Sequence, residues 1–190
     1  VLSDVDRFLR EAHGITLAAT LGFENAYALA MREADAVRLG LTAVSDLTPH
    51  APRLVMGGDY EFFARPEWTA VRDTYGLEFR DLRTMDATLM YQAAAQKEVD
   101  VISAFSSDGR ITAYDLRVLR DDRNAIPPYD AVVLASARLA RDEPEVLQAL
   151  SRLDGVIDAE RMRAMNLSVD EAGENPDTVA AAFVAELSGQ

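Results

Sequence analysis

The stretch LGFENAYALAM, residues 21–31, joins a turn-rich segment to a short apolar run and gives the first indication of the fold. Residues 21–25 contain a glycine and an asparagine, which are typical of a connection between elements. The apolar run 27–31 predicts a buried strand, and residues 33–39 directly after it predict a helix. A strand followed at once by a helix is the repeating unit of an α/β protein.

The same alternation continues along the chain in both directions from this stretch. The other predicted strands cover residues 15–20, 54–57, 99–104, 116–119 and 131–135. The other predicted helices cover residues 3–13, 66–75, 88–98, 143–151, 158–165 and 176–187. Strands that alternate with helices predict an α/β fold with mostly parallel strand pairing.

Composition and charge exclude several classes of function. The chain has 190 residues, 19 Lys and Arg against 32 Asp and Glu, a formal net charge of −13, and no cysteine. A strongly acidic chain repels phosphate backbones, so we expect no nucleic-acid binding. The lack of cysteine excludes disulfides, thiolate zinc sites and cysteine nucleophiles. His13 and His50 are the only histidines, and no apolar run approaches the roughly 20 residues that span a bilayer.

Three aromatic residues lie where predicted strands begin or end. Tyr27 opens a strand, Phe105 closes one, and Tyr129 precedes another. Ligands of open α/β sheets gather at strand ends, and aromatic ring faces attract quaternary ammonium groups, so these rings are candidates for a cage. The alternative is that each ring belongs to the core or to its rim.

A second candidate is Arg65, which precedes the helix that opens at Pro66. An arginine in a loop can form a bidentate pair with a ligand carboxylate; the alternatives are a solvated side chain or a pair with Glu67. The Asp108-Gly109 step is interpreted as a turn rather than a metal or phosphate loop. We therefore predict no cofactor, no metal site and no catalytic residue.

Six segments in order resemble the substrate-binding proteins of ABC importers for glycine betaine, choline, carnitine and related osmoprotectants. The resemblance covers roughly residues 15–190. It rests on LGFENAYALAM (21–31), SDL (45–47), GGDYEFFARPEW (57–68), YGLEF (75–79), VDVISAFSSDGRI (99–111) and LRDDRNAIPPYDAVVLAS (119–136). It implies a type II periplasmic-binding-protein fold of two lobes, a "Venus flytrap", with one full lobe and part of the other in this chain.

The resemblance also implies a ligand-binding set. By position in these segments, Tyr27 and Tyr129 match cage tyrosines, Arg65 matches an arginine that meets a ligand carboxylate, and Asn25 matches a position that faces the ligand. Phe105 stands where the family usually has tyrosine, which keeps the ring face and loses the hydroxyl. A quaternary ammonium ligand needs only the ring face, so we expect Phe105 to serve.

The same resemblance divides the chain. Residues 1–24 are expected to be a remnant of lobe 1, residues 25–127 to form lobe 2, and residues 128–190 to form the C-terminal part of lobe 1. Family members are longer at the N-terminus. Three explanations stay open: the first part is a separate piece, the chain is a truncation, or the chain compensates by dimerisation or strand exchange.

The function implied is that of an extracytoplasmic solute-binding component rather than an enzyme. Its expected partners are a small quaternary-ammonium ligand, an ABC permease and the ATPase of that permease. Lipid anchoring or fusion to the permease in the full-length protein stays open. Two alternatives remain: a ligand-sensing regulatory domain of the same fold, and a truncated fragment that does not bind ligand.

Overall fold

The computed structural model describes residues 1–188, which form two compact units. Unit 1 comprises residues 1–25 and 129–162, and unit 2 comprises residues 26–128 together with the chain from residue 163 onward. The strands are β1 (Thr16–Glu24), β2 (Tyr27–Arg32), β3 (Val55–Gly58), β4 (Asp81–Thr84), β5 (Val101–Phe105), β6 (Leu116–Val118) and β7 (Asp130–Ala135).

The helices begin with α1 (Leu2–His13), α2 (Glu33–Leu39), α3 (Val44–Leu47), α4 (Pro66–Tyr75) and α5 (Ala87–Ala95). They continue with α6 (Arg110–Ala113), α7 (Ala137–Asp142), α8 (Pro144–Ser151), α9 (Ala159–Asp170) and α10 (Pro176–Ser188). Short 3-10 turns cover Ala51–Arg53 and Phe62–Ala64. The sequence patterns did not indicate β4, α3, α6 or α7. The two helices α3 and α6 have only four residues each, and β4 and α7 contain no buried residue. Without a buried face, β4 and α7 lack the periodic apolar pattern from which elements are inferred.

Unit 2 is built on a sheet with the strand order β4-β3-β5-β2-β6. Alternate side chains of β2 and β5 enter two different cores, because successive residues of a strand point to opposite faces. Leu29 and Val101 pack in one core, and Ala30 and Ile102 pack in the other. The strands that carry Tyr27 and Phe105 are therefore held from both sides.

The prediction of mostly parallel pairing was wrong. Strand β3 is parallel to β4 and β5, but β2 is antiparallel to β5 and β6, and β1 is antiparallel to β7. Parallel pairing was expected because a helical crossover usually returns the chain to a neighbouring strand in the same direction. Here β2 lies between β5 and β6 rather than beside β3, so the helices after it do not make such a crossover.

Unit 1 contains a ladder of β1 and β7 together with α1, α7 and α8. Strand β1 continues to Glu24 through the segment that was expected to be a turn. Gly22 has φ +110° within a stretch where the register shifts, so the glycine absorbs an irregularity and pairing continues beyond it.

The last part of the chain is divided between the two units. Residues 129–162 group with residues 1–25, and the chain from residue 163 onward groups with unit 2. The reason is local contact. In α9, Arg163 donates to the Ser106 carbonyl at 2.7 Å and Asn166 donates to the Ser107 carbonyl at 2.8 Å.

Candidate functional site

Two aromatic side chains meet in unit 2 because two strands pair in a fixed register. Tyr27 is the first residue of β2, Phe105 is the last residue of β5, and the antiparallel ladder places them opposite each other. The ring centroids are 4.8 Å apart with an interplanar angle of 35°. Both residues are only partly buried.

Phe62 forms a rigid base under this pair. Its ring is fully buried, and its centroid lies 4.9 Å from that of Tyr27. It also contacts the rings of Phe63 and Trp68. Closely packed aromatic contacts of this kind restrict the orientation of Tyr27 before any ligand binds.

Arg65 lies above Tyr27. The chain leaves the 3-10 turn Phe62–Ala64 and enters α4 at Pro66, which places the guanidinium carbon of Arg65 5.6 Å from the Tyr27 ring centroid. The Nη2 atom donates to Glu61 Oε2 at 2.5 Å, and this hydrogen bond raises the pKa of Arg65. Within residues 1–188, the Nε atom is buried without a hydrogen-bond acceptor. The guanidinium therefore has an unused donor close to the aromatic pair.

Asp59 is a site residue that sequence analysis missed. It follows β3 and is 7% exposed. Its Oδ1 atom accepts hydrogen bonds from the backbone N–H groups of Glu61 and Phe62, at 2.8 and 2.9 Å. Its Oδ2 atom is buried, no Lys, Arg or His side chain of the described residues pairs with the carboxylate, and the Tyr27 phenol is the side chain that interacts with it. The sequence GGDYEFF offered a weak indication, because the aspartate follows two glycines in a loop where aspartates commonly serve turns.

The charge of Asp59 affects the phenol of Tyr27. Burial raises the pKa of Tyr27, the negative charge of Asp59 and a side-chain hydrogen bond to Asp59 raise it further, and the charge of Arg65 opposes these effects. The Tyr27 phenol therefore stays protonated at neutral pH between an anionic and a cationic side chain.

A hydrogen-bonded turn holds Phe105 from the C-terminal side. Ser106 Oγ accepts from the Ala26 backbone N–H at 3.0 Å, and the Ser106 N–H donates to the Ala26 carbonyl at 2.9 Å. The Arg163 and Asn166 bonds to the carbonyls of Ser106 and Ser107 attach the same turn to α9. The turn therefore fixes the end of β5, where the Phe105 ring begins.

The remaining two predicted residues belong to unit 1. The Asn25 backbone N–H donates to the Tyr129 carbonyl at 3.3 Å, so the two residues lie side by side. Both side chains are exposed, and Tyr129 has 40% of its surface accessible. The structure thus brings Tyr27, Arg65 and Phe105 together in unit 2, and Asn25 and Tyr129 together in unit 1.

Residues 1–188 contain no group of three or more His, Asp or Glu side chains placed to hold a metal ion. They also contain no helix whose length and apolar character would let it span a bilayer.

Curated relatives cover nearly all of this chain. The sequence is 31% identical over 185 residues to the carnitine transport binding protein OpuCC of Listeria monocytogenes, and the match covers 96% of this chain and 60% of that protein. It is 34% identical over 191 residues to a glycine-betaine-binding protein of Pseudomonas aeruginosa, and that match covers 94% of this chain and 61% of the relative. The chain therefore spans about three fifths of the length of these relatives.

Comparison with solved structures shows the fold. A crystal structure described as a glycine betaine/carnitine/choline ABC transporter superposes with a TM-score of 0.93 at 32% identity, and the match covers 97% of this chain and 68% of that one. The prediction of an α/β fold of the type II periplasmic-binding-protein class is confirmed.

The family follows from the sequence match that extends over almost the whole chain. Residues 2–186 match the family described as the substrate binding domain of the ABC-type glycine betaine transport system. Together with the solved structure, this match confirms the resemblance seen in the six sequence segments. The chain belongs to the family of substrate-binding domains of ABC-type glycine betaine transport systems.

Proposed function

We propose that this chain is the ligand-capturing part of an ABC importer for quaternary-ammonium osmoprotectants such as glycine betaine, choline or carnitine. The observation that carries the proposal is the Tyr27–Phe105 ring pair, with Arg65 over the Tyr27 ring. Membership of a transport family supports capture rather than catalysis. The names of the carnitine- and glycine-betaine-binding relatives support the class of ligand.

The cationic head of the ligand would bind at the ring faces. A trimethylammonium group offers no polar hydrogen, so its recognition depends on ring electrons and on exclusion of water. Tyr27 and Phe105 supply two such faces without any need for the hydroxyl that Phe105 lacks. The packing of Tyr27 on buried Phe62 keeps one face in place, which lowers the entropy lost on binding.

Arg65 would bind the carboxylate of a ligand that has one. Its buried Nε donor has no acceptor within the described residues, while its Nη2 donor is shared with Glu61, whose side chain is mostly exposed. A ligand carboxylate would give the Nε donor its partner in a charge-assisted hydrogen bond. Choline, which has no carboxylate, would gain nothing from Arg65.

Asn25 and Tyr129 are proposed as further ligand contacts. Their support is the match of the segments LGFENAYALA and IPPYDAVVL to the family, together with the exposure of both side chains in unit 1. The division into lobes, with residues 1–24 and 128–190 in lobe 1 and residues 25–127 in lobe 2, is likewise a proposal.

The chain would act outside the cytoplasm, beside a permease and its ATPase. This location and these partners come from the way ABC importers work, and the relatives that support them are longer than this chain. A sensing domain of the same fold and a fragment that binds nothing are the competing proposals.

Calorimetric titration with glycine betaine, choline and carnitine, alongside thermal melts, tests the proposal. Saturable binding with a raised melting temperature is expected, since a ligand that binds only the folded state stabilises it. A cooperative melt with no response to any of the three ligands would contradict binding by this chain and favour the inert fragment. Genes for a permease and an ATPase beside the coding gene would favour the importer over a sensor.

A further inference from the structure

The carboxylate of Asp59 is buried and keeps its negative charge without a cationic partner among the described residues. Oδ1 accepts two backbone hydrogen bonds and so shapes the turn Glu61–Phe62. The side chain that interacts with the carboxylate is the phenol of Tyr27. A turn and a neutral phenol leave the negative charge in place, so the charge needs a separate explanation.

A buried carboxylate normally has a cation nearby, because removing an unpaired charge from water costs free energy. Within residues 1–188 no Lys, Arg or His side chain forms an ion pair with Asp59, and the nearby Arg65 pairs with Glu61 instead. Asp59 is also 93% buried, so bulk water does little to screen it. The charge is therefore uncompensated by this part of the protein.

The Asp59 carboxylate lies close to the Tyr27–Phe105 ring pair. The Phe62 N–H donates to Asp59 Oδ1 at 2.9 Å, and the Phe62 ring lies 4.9 Å from the Tyr27 ring. The Tyr27 ring in turn lies 4.8 Å from that of Phe105. After burial, the charge of Asp59 is the next cause that raises the pKa of Tyr27. Gly58 lets the loop before Asp59 pack closely against the Phe63 ring, because a Cβ atom at residue 58 would lie 2.7 Å from Phe63 Cε2. The Asp59 carboxylate therefore belongs to the same small region as the two rings.

We propose that Asp59 is an anionic specificity determinant, whose charge favours a cationic ligand group at the Tyr27–Phe105 pair. This inference rests on the proposed function. It adds Asp59 to the residues that select the ligand, because the ring pair has no negative charge of its own. The ring faces attract a cation weakly and at short range, whereas a poorly screened carboxylate adds a stronger attraction that depends on net ligand charge. Choline and tetramethylammonium carry a full positive charge. In glycine betaine the carboxylate offsets that charge, so its affinity depends less on Asp59.

The test is the variant Asp59→Asn, which keeps Oδ1 and the turn but removes the charge. Calorimetry with choline, tetramethylammonium and glycine betaine should show the affinities for choline and tetramethylammonium falling about tenfold and that for glycine betaine falling about threefold or less, the order expected for loss of one partly screened charge. Tetramethylammonium has no hydroxyl, so its loss would reflect charge rather than a hydrogen bond.

Asp73→Asn is the matched control. It removes the same charge from an exposed side chain of α4, in unit 2, so it reports the effect of net charge alone. We expect it to change each affinity less than twofold. Asp59→Ser, which keeps an oxygen for the turn, is the second variant if Asp59→Asn melts at a much lower temperature, and it should show the same loss for the two cations.

The outcomes separate the two proposals. If the unchanged chain binds all three ligands and Asp59→Asn binds them equally well, or loses all three equally, the assignment of Asp59 is wrong and the proposed function stands. If choline alone is weakened, a hydroxyl contact replaces the charge effect and the assignment is also wrong. If the unchanged chain binds none of them, the proposed function fails and this inference fails with it.

Discussion

Tyr27 and Phe105 lie opposite each other in the β2–β5 ladder, with their ring centroids 4.8 Å apart. The pair forms because one strand begins where its antiparallel neighbour ends. Such a position keeps the backbone of both residues in a sheet and leaves both residues only partly buried. Rigid strands place ligand-binding side chains more reproducibly than loops do.

Replacing Tyr27 by alanine should weaken quaternary-ammonium binding by about 1–2 kcal/mol, because one desolvated cation–π face is lost. Tyr27→Phe should retain most of the affinity, since it keeps the ring. Calorimetry with tetramethylammonium measures the difference directly. Phe8→Ala, on the exposed side of α1 in unit 1, serves as a control for the loss of an aromatic side chain. Equal affinities for Tyr27→Ala and the unchanged chain would remove Tyr27 from the site.

Replacing Arg65 by glutamine should separate ligands by their carboxylate. Glycine betaine and carnitine should lose about tenfold or more in affinity, because a charge-assisted hydrogen bond disappears, whereas choline should change little. Arg72→Gln, on the exposed surface of the following helix, removes the same charge away from the ring pair and is the control. An equal loss for all three ligands would contradict a role in carboxylate recognition.

The strands that carry the site could be predicted because their apolar runs are short, continuous and bounded by turn residues. Residues 27–31 and 99–104 both became central strands of the sheet. Their direction could not be predicted, since pairing depends on which strands become neighbours after the chain has crossed the whole unit. Sequence periodicity contains no information about that order.

The role of Asp59 could not be predicted from the sequence for a different reason. In sequence, an aspartate after two glycines is common turn chemistry, and half of its carboxylate has that role. The charge of the carboxylate is informative only because it is buried, and burial results from packing of residues far apart in the chain. The placement of residues 163–188 with unit 2 has the same origin, since it depends on contacts between α9 and a turn more than fifty residues earlier.

Tyr75 should make folding stability sensitive to alkaline pH. Burial raises the pKa of its phenol, and the hydrogen bond to Asp121 raises it further. The folded state therefore keeps a proton that the unfolded chain releases near the ordinary tyrosine pKa of about 10. The free energy of unfolding should be undiminished by this group below about pH 10 and should fall as the pH rises above it.

Urea unfolding of Tyr75→Phe between pH 8 and pH 11 tests this expectation. The variant should be less stable at pH 8 by about 1–2 kcal/mol, because Asp121 and the Arg123 backbone N–H lose their shared partner. It should then lose less stability than the unchanged chain above pH 10. Tyr60→Phe, at a side chain that is 73% exposed, is the control. Identical alkaline slopes for the unchanged chain and Tyr75→Phe would contradict the role of Tyr75.

Gly109→Ala should destabilise unit 2 through a backbone clash rather than through backbone conformation. Gly109 has φ −61° and ψ −27°, which any residue adopts readily. A Cβ atom there would lie 2.5 Å from the Leu167 nitrogen and 2.7 Å from its Cα, so α9 would have to move away. That movement would strain the hydrogen bonds that Arg163 and Asn166 make to the turn beyond Phe105.

We expect the free energy of unfolding of Gly109→Ala to fall by at least ~2 kcal/mol, as for other substitutions that overfill a packed contact. Gly40→Ala is the opposing control: Gly40 has φ +71° and no atom within 4 Å of an added Cβ. Its cost should be limited to left-handed strain of about 1–2 kcal/mol. Because the two substitutions add the same methyl group, urea unfolding of both separates steric contact from conformation. A Gly109→Ala variant as stable as the unchanged chain would show that α9 does not pack against this turn in solution, and the support that it provides for Phe105 would be lost with it.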